Sequence, residues 1–227
     1  MVADHQRDVE FKKGRWKNKM ARYKDEQCRI CRREGQKLFL KGSRCYTDKC
    51  SISRRNYAPG QNGQKKKKLS EYGTQLREKQ KTKSFYGVSE KQFRKYFDMA
   101  AATKGITGEV LLQILETRLD NIVYRLGYGS SRAQSRMLVT HGTFEVNGHK
   151  VDIPSYLVKI NDLISLEEKA KSFAIVKDAM ENQVSLVNYV TVNKETKEGK
   201  LVRLPERNEL TSDIDESQIV EFYNRKL

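Results

Sequence analysis

The chain has 227 residues, 37% of them hydrophobic, which suffices for one or two modest cores and excludes a large enzyme. Lys and Arg number 45 against 29 Asp and Glu, a formal net charge of +16 that asks for a polyanionic partner such as nucleic acid. A membrane is a poorer partner: the longest apolar runs, 110–112 and 122–124, fall far short of the ~20 residues of a span, and residues 1–19 hold no hydrophobic signal core.

Residues 1–19 carry many charges, Trp16 and no sustained apolar period, and read as a mostly disordered leader. Residues 20–57 form a cysteine-bearing module. Residues 54–68, RRNYAPGQNGQKKKK, form a basic loop punctuated by Pro59-Gly60 and Asn62-Gly63. Ser70 is placed to cap a helix that runs toward Gly87, with Tyr72, Leu76 and Lys79 on one face. Ser89 and Gln92 have capping-box spacing, and Phe93, Tyr96, Phe97 and Ala100 recur at helical intervals, so that stripe should be core.

Thr107 opens a helical stretch whose Leu112, Leu115, Leu119, Ile122 and Leu126 step by three and four to Gly127, with a break expected near Asp120. Ser131 and Gln134 repeat the capping spacing, Met137 and Leu138 should face inward, and Gly142 should end that helix. The period then changes. Residues 143–146 and 149–151 read as strands joined by the strong hairpin turn Asn147-Gly148. A second strand pair is expected from Val158 and Ile160, the Asn161-Asp162 turn, and residues 163–166. The C-terminal part turns mildly acidic, and no long internal repeat occurs.

All four cysteines fall between positions 28 and 50, as Cys28-Arg-Ile-Cys31 and Cys45-Tyr-Thr-Asp-Lys-Cys50. The chain is expected to stay in a reducing cytosol, where disulfides are disfavoured and two short cysteine pairs suit a tetrahedral thiolate site. Zinc is the first expectation and an iron–sulfur cluster the alternative; four protein thiolates leave no open position for metal catalysis. The cationic residues Arg54, Arg55, Lys65, Lys66, Lys67 and Lys68, continued by Arg77, Lys79, Lys81 and Lys83, form a candidate RNA-binding face. Tyr57, Tyr72, Phe85 and Tyr86 are interleaved with them, although some of those rings must be core. Arg132 and Arg136 are four apart on one helix face, and Lys150 follows on the hairpin, so a cationic groove is expected there; His141 is a weaker contact candidate.

The stretch MARYKDEQCRICRREGQKLFLKGSRCYTDKC, with RRNYAPGQNGQKKKK, LREKQK, FYGVSEKQFRKYF, ETRLDNIVYRLGYGSSRAQSRMLVTHGTFEVNGHKVDIPSY, RLPER and IVEFYNRK, closely resembles bacterial ribosomal protein S-four in its cysteine-bearing form. The likeness spans residues 20–227. It implies an α+β protein: a mainly helical N-terminal domain with a four-cysteine zinc knuckle, then an S-four RNA-binding module of two helices on a small, mostly antiparallel sheet. The expected division is a leader at 1–19, the knuckle at 20–57, the basic loop and helical domain at 58–117, the module at 118–180, and a segment at 181–227 that packs back on the helical domain.

The resemblance further implies a structural constituent of the small ribosomal subunit, cytoplasmic and within the ribosome. It would bind a helical junction in the 5′ domain of small-subunit ribosomal RNA, nucleate assembly and affect decoding accuracy. It would also contact ribosomal protein S-five and other small-subunit proteins and, in some bacteria, repress its own messenger RNA. The RNA-facing positions carried over are Arg54, Arg55, the lysine run, Arg77, Lys81, Lys83, Arg132 and Arg136.

Two rival readings compete with this one. The S-four module also resembles appendages of RNA-modifying enzymes, but no nucleotide-binding glycine fingerprint, nucleophile elbow or metalloprotease motif accompanies it, and three histidines offer little acid–base material. A zinc-bearing DNA regulator, or a stand-alone RNA-binding translational repressor, would also use a knuckle and basic faces, yet no recognisable major-groove reader is present. The ribosomal reading includes neither a membrane nor a small-molecule substrate.

Overall fold

A computed structural model describes residues 23, 25–65, 68–181, 187–193, 195–210 and 213–225. The leader at 1–19 lies outside the described residues, as do Lys66 and Lys67. The chain is α+β: the helices α1 (Gln27–Glu34), α2 (Ser51–Arg54), α3 (Glu71–Phe85), α4 (Glu90–Ala102), α5 (Thr107–Glu116), α6 (Leu119–Arg125) and α7 (Arg132–Thr140) precede a sheet region. There β1 (Phe144–Val146), β2 (His149–Lys150), β3 (Leu163–Leu166), α8 (Ala174–Glu181), β4 (Val190–Asn193) and β5 (Glu198–Leu201) lead to the last helix, α9 (Glu216–Asn224).

The helix starts follow from their caps. Ser70, Ser89 and Ser131 each accept a hydrogen bond from a first-turn N–H, those of Gly73, Gln92 and Gln134. At α7 the capping box is only half formed, because the Gln134 carboxamide oxygen accepts from the N–H and hydroxyl of Ser130 instead. Phe93, Tyr96, Phe97 and Ala100 are buried, as their spacing requires, against Leu111, Leu112 and Leu115 of α5 and Ile219, Phe222 and Tyr223 of α9. Burying each large side chain contributes roughly 1.5–3 kcal/mol.

The leucine stripe from 112 to 126 is cut where expected. Helix α5 ends at Glu116 and α6 restarts at Leu119, with Arg118 extended at its N-cap. Leu112 and Leu115 therefore enter the first core, while Leu119, Ile122 and Leu126 enter a second core with Val139, Phe144, Ile164 and Leu201. The stretch 154–158 fills the gap: Leu119 N–H donates to the Tyr156 carbonyl, Asp120 N–H to that of Pro154, and Val158 N–H to that of Thr117. This corrects the expected strand at Val158 and Ile160. Those residues are not paired in the sheet: Val158 N–H is taken by the Thr117 carbonyl at the α5–α6 break, and 159–162 already form the turn into β3.

All sheet pairings are antiparallel, in the order β2-β1-β3-β5-β4. Asn147 and Gly148 both adopt positive φ (51° and 78°), the geometry of the expected two-residue turn. The Asn147 side chain also accepts from Leu163 N–H and donates to Asp162, tying the turn to the start of β3.

Two further expectations are corrected. Residues 190–201 form a hairpin on the β3 edge rather than packing on the helical domain; at Gly199 an added Cβ would lie 2.5 Å from a Leu126 methyl, so only glycine lets β5 approach α6. The rest of the segment does return as expected: Leu210 and Ile214 enter the first core, the Pro205 carbonyl accepts from Gln113, and α9 lies along α3 and α5. Met137 is 44% exposed, because α7 turns Leu138 and Val139 inward and Met137 outward.

Gly42 couples the cysteine-bearing region to α7. It has φ +62°, and an added Cβ would lie 2.6 Å from the Ser130 carbonyl oxygen. Gly35, which ends α1 at φ +71°, has nothing within 4 Å of that position. Gly35→Ala should therefore cost about 1 kcal/mol for backbone strain alone. Gly42→Ala should cost about 2–3 kcal/mol, since strain and a backbone clash add. Urea unfolding of the two variants tests this; equal costs would show that the Gly42–Ser130 approach is unimportant.

Candidate nucleic-acid interface

The cysteines sit on adjoining pieces of one small module. Cys28 and Cys31 lie on α1, Cys45 in the 3-10 turn Gly42–Tyr46, and Cys50 at the N-cap of α2. All four are free thiols; Cys31, Cys45 and Cys50 are buried. Burial pushes the Cys31 thiol up, and the nearby Cys45, Cys28 and Cys50 push the same way, as expected when sulfurs are gathered. Lys41 N–H donates to Cys45 Sγ at 3.4 Å. Burial works against a charged Cys50, but backbone N–H groups of Ile52 and Ser53 outweigh it and lower the thiol pKa. Soft donors with N–H groups aimed at sulfur suit a thiolate metal centre. Among the described residues, however, no group of three or more His, Cys, Asp or Glu side chains reaches a metal-holding arrangement.

The sequence-selected cations divide into two sets. Arg54 and Arg55, at the end of α2, and Lys65 and Lys68 in the following loop are exposed. Lys150 is exposed beside Glu167, with N···O at 3.5 Å. The others among the described residues are engaged within the protein. Arg77 pairs with Glu34 at 3.1 Å, and Lys83 with Glu90 at 3.1 Å.

Lys81 is corrected outright. It is 7% exposed, its ammonium donating to the Asp213 carbonyl at 2.5 Å and pairing with Glu78 at 2.6 Å, because the segment leading into α9 covers that face of α3. Arg132 is corrected too. Its guanidinium lies 3.9 Å from the Phe85 ring centroid and 4.6 Å from that of Tyr124, and Nε donates to Asn121 Oδ1 at 2.8 Å. Arg136 shares its face as expected and donates at 2.8 Å to Asp120 at the start of α6, within the same module. Arg132 and Arg136 nevertheless line, with Lys83, a cavity of about 320 Å³, so the face that fixes the joint also borders a cationic hollow.

The interleaved rings also serve the fold. Phe85 and Tyr86 are buried, Tyr72 packs on Phe222, and Tyr57 lies beneath Arg32. His141 is exposed at the end of α7. Sequence reasoning overlooked other cations: Arg29, Arg33, Lys37, Lys41, Arg44 and Lys49 are all exposed on the cysteine module, with no side-chain ion pair among the described residues. Their alternation with the cysteines was the available signal, since buried cysteines in so short a module force the intervening residues outward.

Behind this surface lies the joint itself. Glu116, at the end of α5, is fully buried. Its carboxylate accepts from Tyr86 Oη (2.8 Å), Asn121 Nδ2 (2.5 Å), Arg125 Nε (3.0 Å) and a second Arg125 nitrogen (2.7 Å), and from Tyr189 Oη (2.8 Å). Burial alone would raise its pKa; the Arg125 guanidinium and the other donors outweigh burial and hold it at about 2. Beside it Arg118, 1% exposed, makes a two-point pair with Asp120 and donates to Tyr96 Oη.

Two adjoining family models match the chain: residues 22–116 match the Ribosomal protein S4/S9 N-terminal domain, and residues 117–164 the S4 domain. The chain is 61% identical to small ribosomal subunit protein uS4A of Alkaliphilus oremlandii. It is 57% identical to uS4 of Clostridium tetani and 58% identical to that of Ruminiclostridium cellulolyticum. Each match covers 91% of this chain and 100% of the relative. The chain belongs to the uS4 family of small ribosomal subunit proteins.

The Glu116 joint gives a pH signature. A carboxyl held below its unfolded value stabilises the fold fully above pH ~4.5 and loses that contribution as pH falls toward 2. The contribution is on the order of 3 kcal/mol. Glu116→Gln should therefore be less stable than the parent by about that amount at pH 7, with the gap closing as pH falls from about 4.5 to 2, followed by urea unfolding. A gap independent of pH would show that the carboxylate charge does not matter.

Proposed function

We propose that this chain is a structural, non-enzymatic component of the small ribosomal subunit that binds small-subunit ribosomal RNA at a junction in the 5′ domain and helps nucleate assembly. The carrying observation is the run of exposed cations, Arg29, Arg33, Lys37, Lys41, Arg44, Lys49, Arg54 and Arg55, on one small module. So many like charges kept close together cost self-repulsion unless phosphates neutralise them. The relatives' name, small ribosomal subunit protein, agrees with this reading. Lys65 and Lys68 extend the surface, and Lys150 adds a contact from the hairpin. Arg132 and Arg136 contribute by fixing the joint, and with Lys83 they line a cavity open to an RNA group.

The reading includes contacts with ribosomal protein S-five and other small-subunit proteins, an effect on decoding accuracy, repression of its own messenger RNA, and a cytoplasmic location within the ribosome. Among the described residues no helix is long and apolar enough to cross a membrane. Cys28, Cys31, Cys45 and Cys50 would hold zinc, with an iron–sulfur cluster as the alternative; the metal's part is to cross-link α1, the 3-10 turn and α2. The gathered thiols and the N–H groups directed at Cys45 and Cys50 support this.

Binding to a transcript of the 5′ domain tests the proposal. The parent should prefer it over random RNA with a steep salt dependence. Replacing Arg54, Arg55 and Lys68 together by alanine should weaken binding about tenfold or more and flatten the salt slope by about 2. Lack of preference in the parent would overturn the ribosomal reading.

Metal analysis of the purified protein should find about one zinc, or iron with sulfide, per chain, and chelation should lower the unfolding midpoint. A metal-free protein with an unchanged midpoint would refute the metal centre.

A further inference from the structure

Phe39 has φ +50°, a left-handed backbone conformation that bulky residues rarely adopt. The contortion sets its ring on that of Tyr46, with centroids 4.9 Å apart and planes 29° from parallel. The loop between them is fixed at two points: Gly42 presses on the Ser130 backbone, and Lys41 N–H is bonded to Cys45 Sγ. Phe39 forms a wall of two neighbouring cavities, of about 320 and 200 Å³, and Tyr46 lines the second together with Lys37.

Tyr46 is nonetheless 53% exposed. A large ring held rigid, covered by a second ring and left open to water is poorly explained by core packing. Its surroundings are cationic: Lys37, Lys41, Arg44 and Lys49 are all exposed within the same stretch of chain. An aromatic face amid unpaired cations matches one ligand chemistry, an unpaired nucleobase between phosphates. Base–aromatic stacking supplies the contact and the cations hold the backbone. A regular duplex, with its bases already stacked, would leave the ring unused.

We propose that Tyr46, backed by Phe39, is a stacking platform for one unpaired base of the bound RNA, with Lys41 and Arg44 on the flanking phosphates. This rests on the RNA-binding reading above and assigns part of that surface its own task.

The test uses the full chain and a 5′-domain transcript, with an RNA duplex of similar charge as the comparison. Tyr46→Ala should weaken binding to the transcript by about 5- to 150-fold, the range for one base–aromatic stack, without changing the salt slope, while Tyr46→Phe stays close to the parent. Trp16 is the only tryptophan, so a Trp16→Phe, Tyr46→Trp variant carries a single reporter. Its emission should be quenched by the transcript and unaffected by the duplex.

If the parent binds the transcript selectively while the tryptophan is not quenched and Tyr46→Ala binds within twofold, the platform is overturned and the RNA reading stands. If the parent shows no preference for the transcript, both fail. Should Tyr46→Ala misfold, the tryptophan reporter decides alone.

Discussion

The carboxylate of Glu116 accepts hydrogen bonds from donors that arrive from separate parts of the chain. Tyr86 follows α3, Asn121 and Arg125 belong to α6, and Tyr189 precedes β4. A fully buried charge is tolerated only when almost every acceptor position is filled, and removing one partner of such a pair costs about 3–5 kcal/mol. The donors have few alternatives, so the helical half and the sheet half are held in one relative position. Arg132 closes the same joint, stacked on Phe85 and Tyr124 and bonded to Asn121, and Arg118 clamps the break between α5 and α6.

That constraint sorts the arginines and lysines. A chain of net charge +16 has more cations than any one RNA surface needs, and several are used as internal fasteners. Lys79 is buried over Phe222, Lys81 is buried against Asp213, and Arg77 ties α3 to α1. The C-terminal segment has a purpose in this arrangement. It meets the inward face of α3 through mixed polar contacts: the Asp213 carbonyl accepts from Lys81, Glu221 accepts from Gln75, and Asp215 N–H donates to Glu78. Among the described residues, the cations left outside include a dense set on the cysteine module and the loop after it, a second group on α4 (Lys91, Arg94, Lys95) and Lys150 on the first hairpin. A rigid joint lets these separated charges meet one folded RNA without first being ordered, which lowers the entropic cost of binding.

Much of this was legible because local rules governed it. The serine caps, the aromatic stripe of α4, the Asn147-Gly148 turn and the α5–α6 break each depend on a few neighbouring residues, and the family likeness agreed with them. Burial of cations was not legible. In α3, Lys79, Lys81 and Lys83 look alike in the sequence, and which of them turns inward is decided by α9 and its approach, far away in the chain. Arg132 and Arg136 were correctly placed on one helix face, but local spacing could not tell that the face meets Phe85. The 190–201 hairpin was missed because its outward positions, Thr191 and Lys200, are polar and its key inward position is a glycine. The strand expected at 158–160 had the right alternation, but the Val158 N–H was claimed by the Thr117 carbonyl at the helix break.

The central claim is that the buried joint, remote from solvent, sets the affinity of the outer cations for RNA. The direct test is the affinity of Glu116→Gln for the 5′-domain transcript at neutral pH, under conditions where circular dichroism shows native helix content. The account predicts binding weaker by about tenfold with an unchanged salt slope, because the same phosphates are contacted from a joint no longer fixed. Affinity equal to the parent's would contradict it, and would mean that the two halves bind RNA independently of how they are held together.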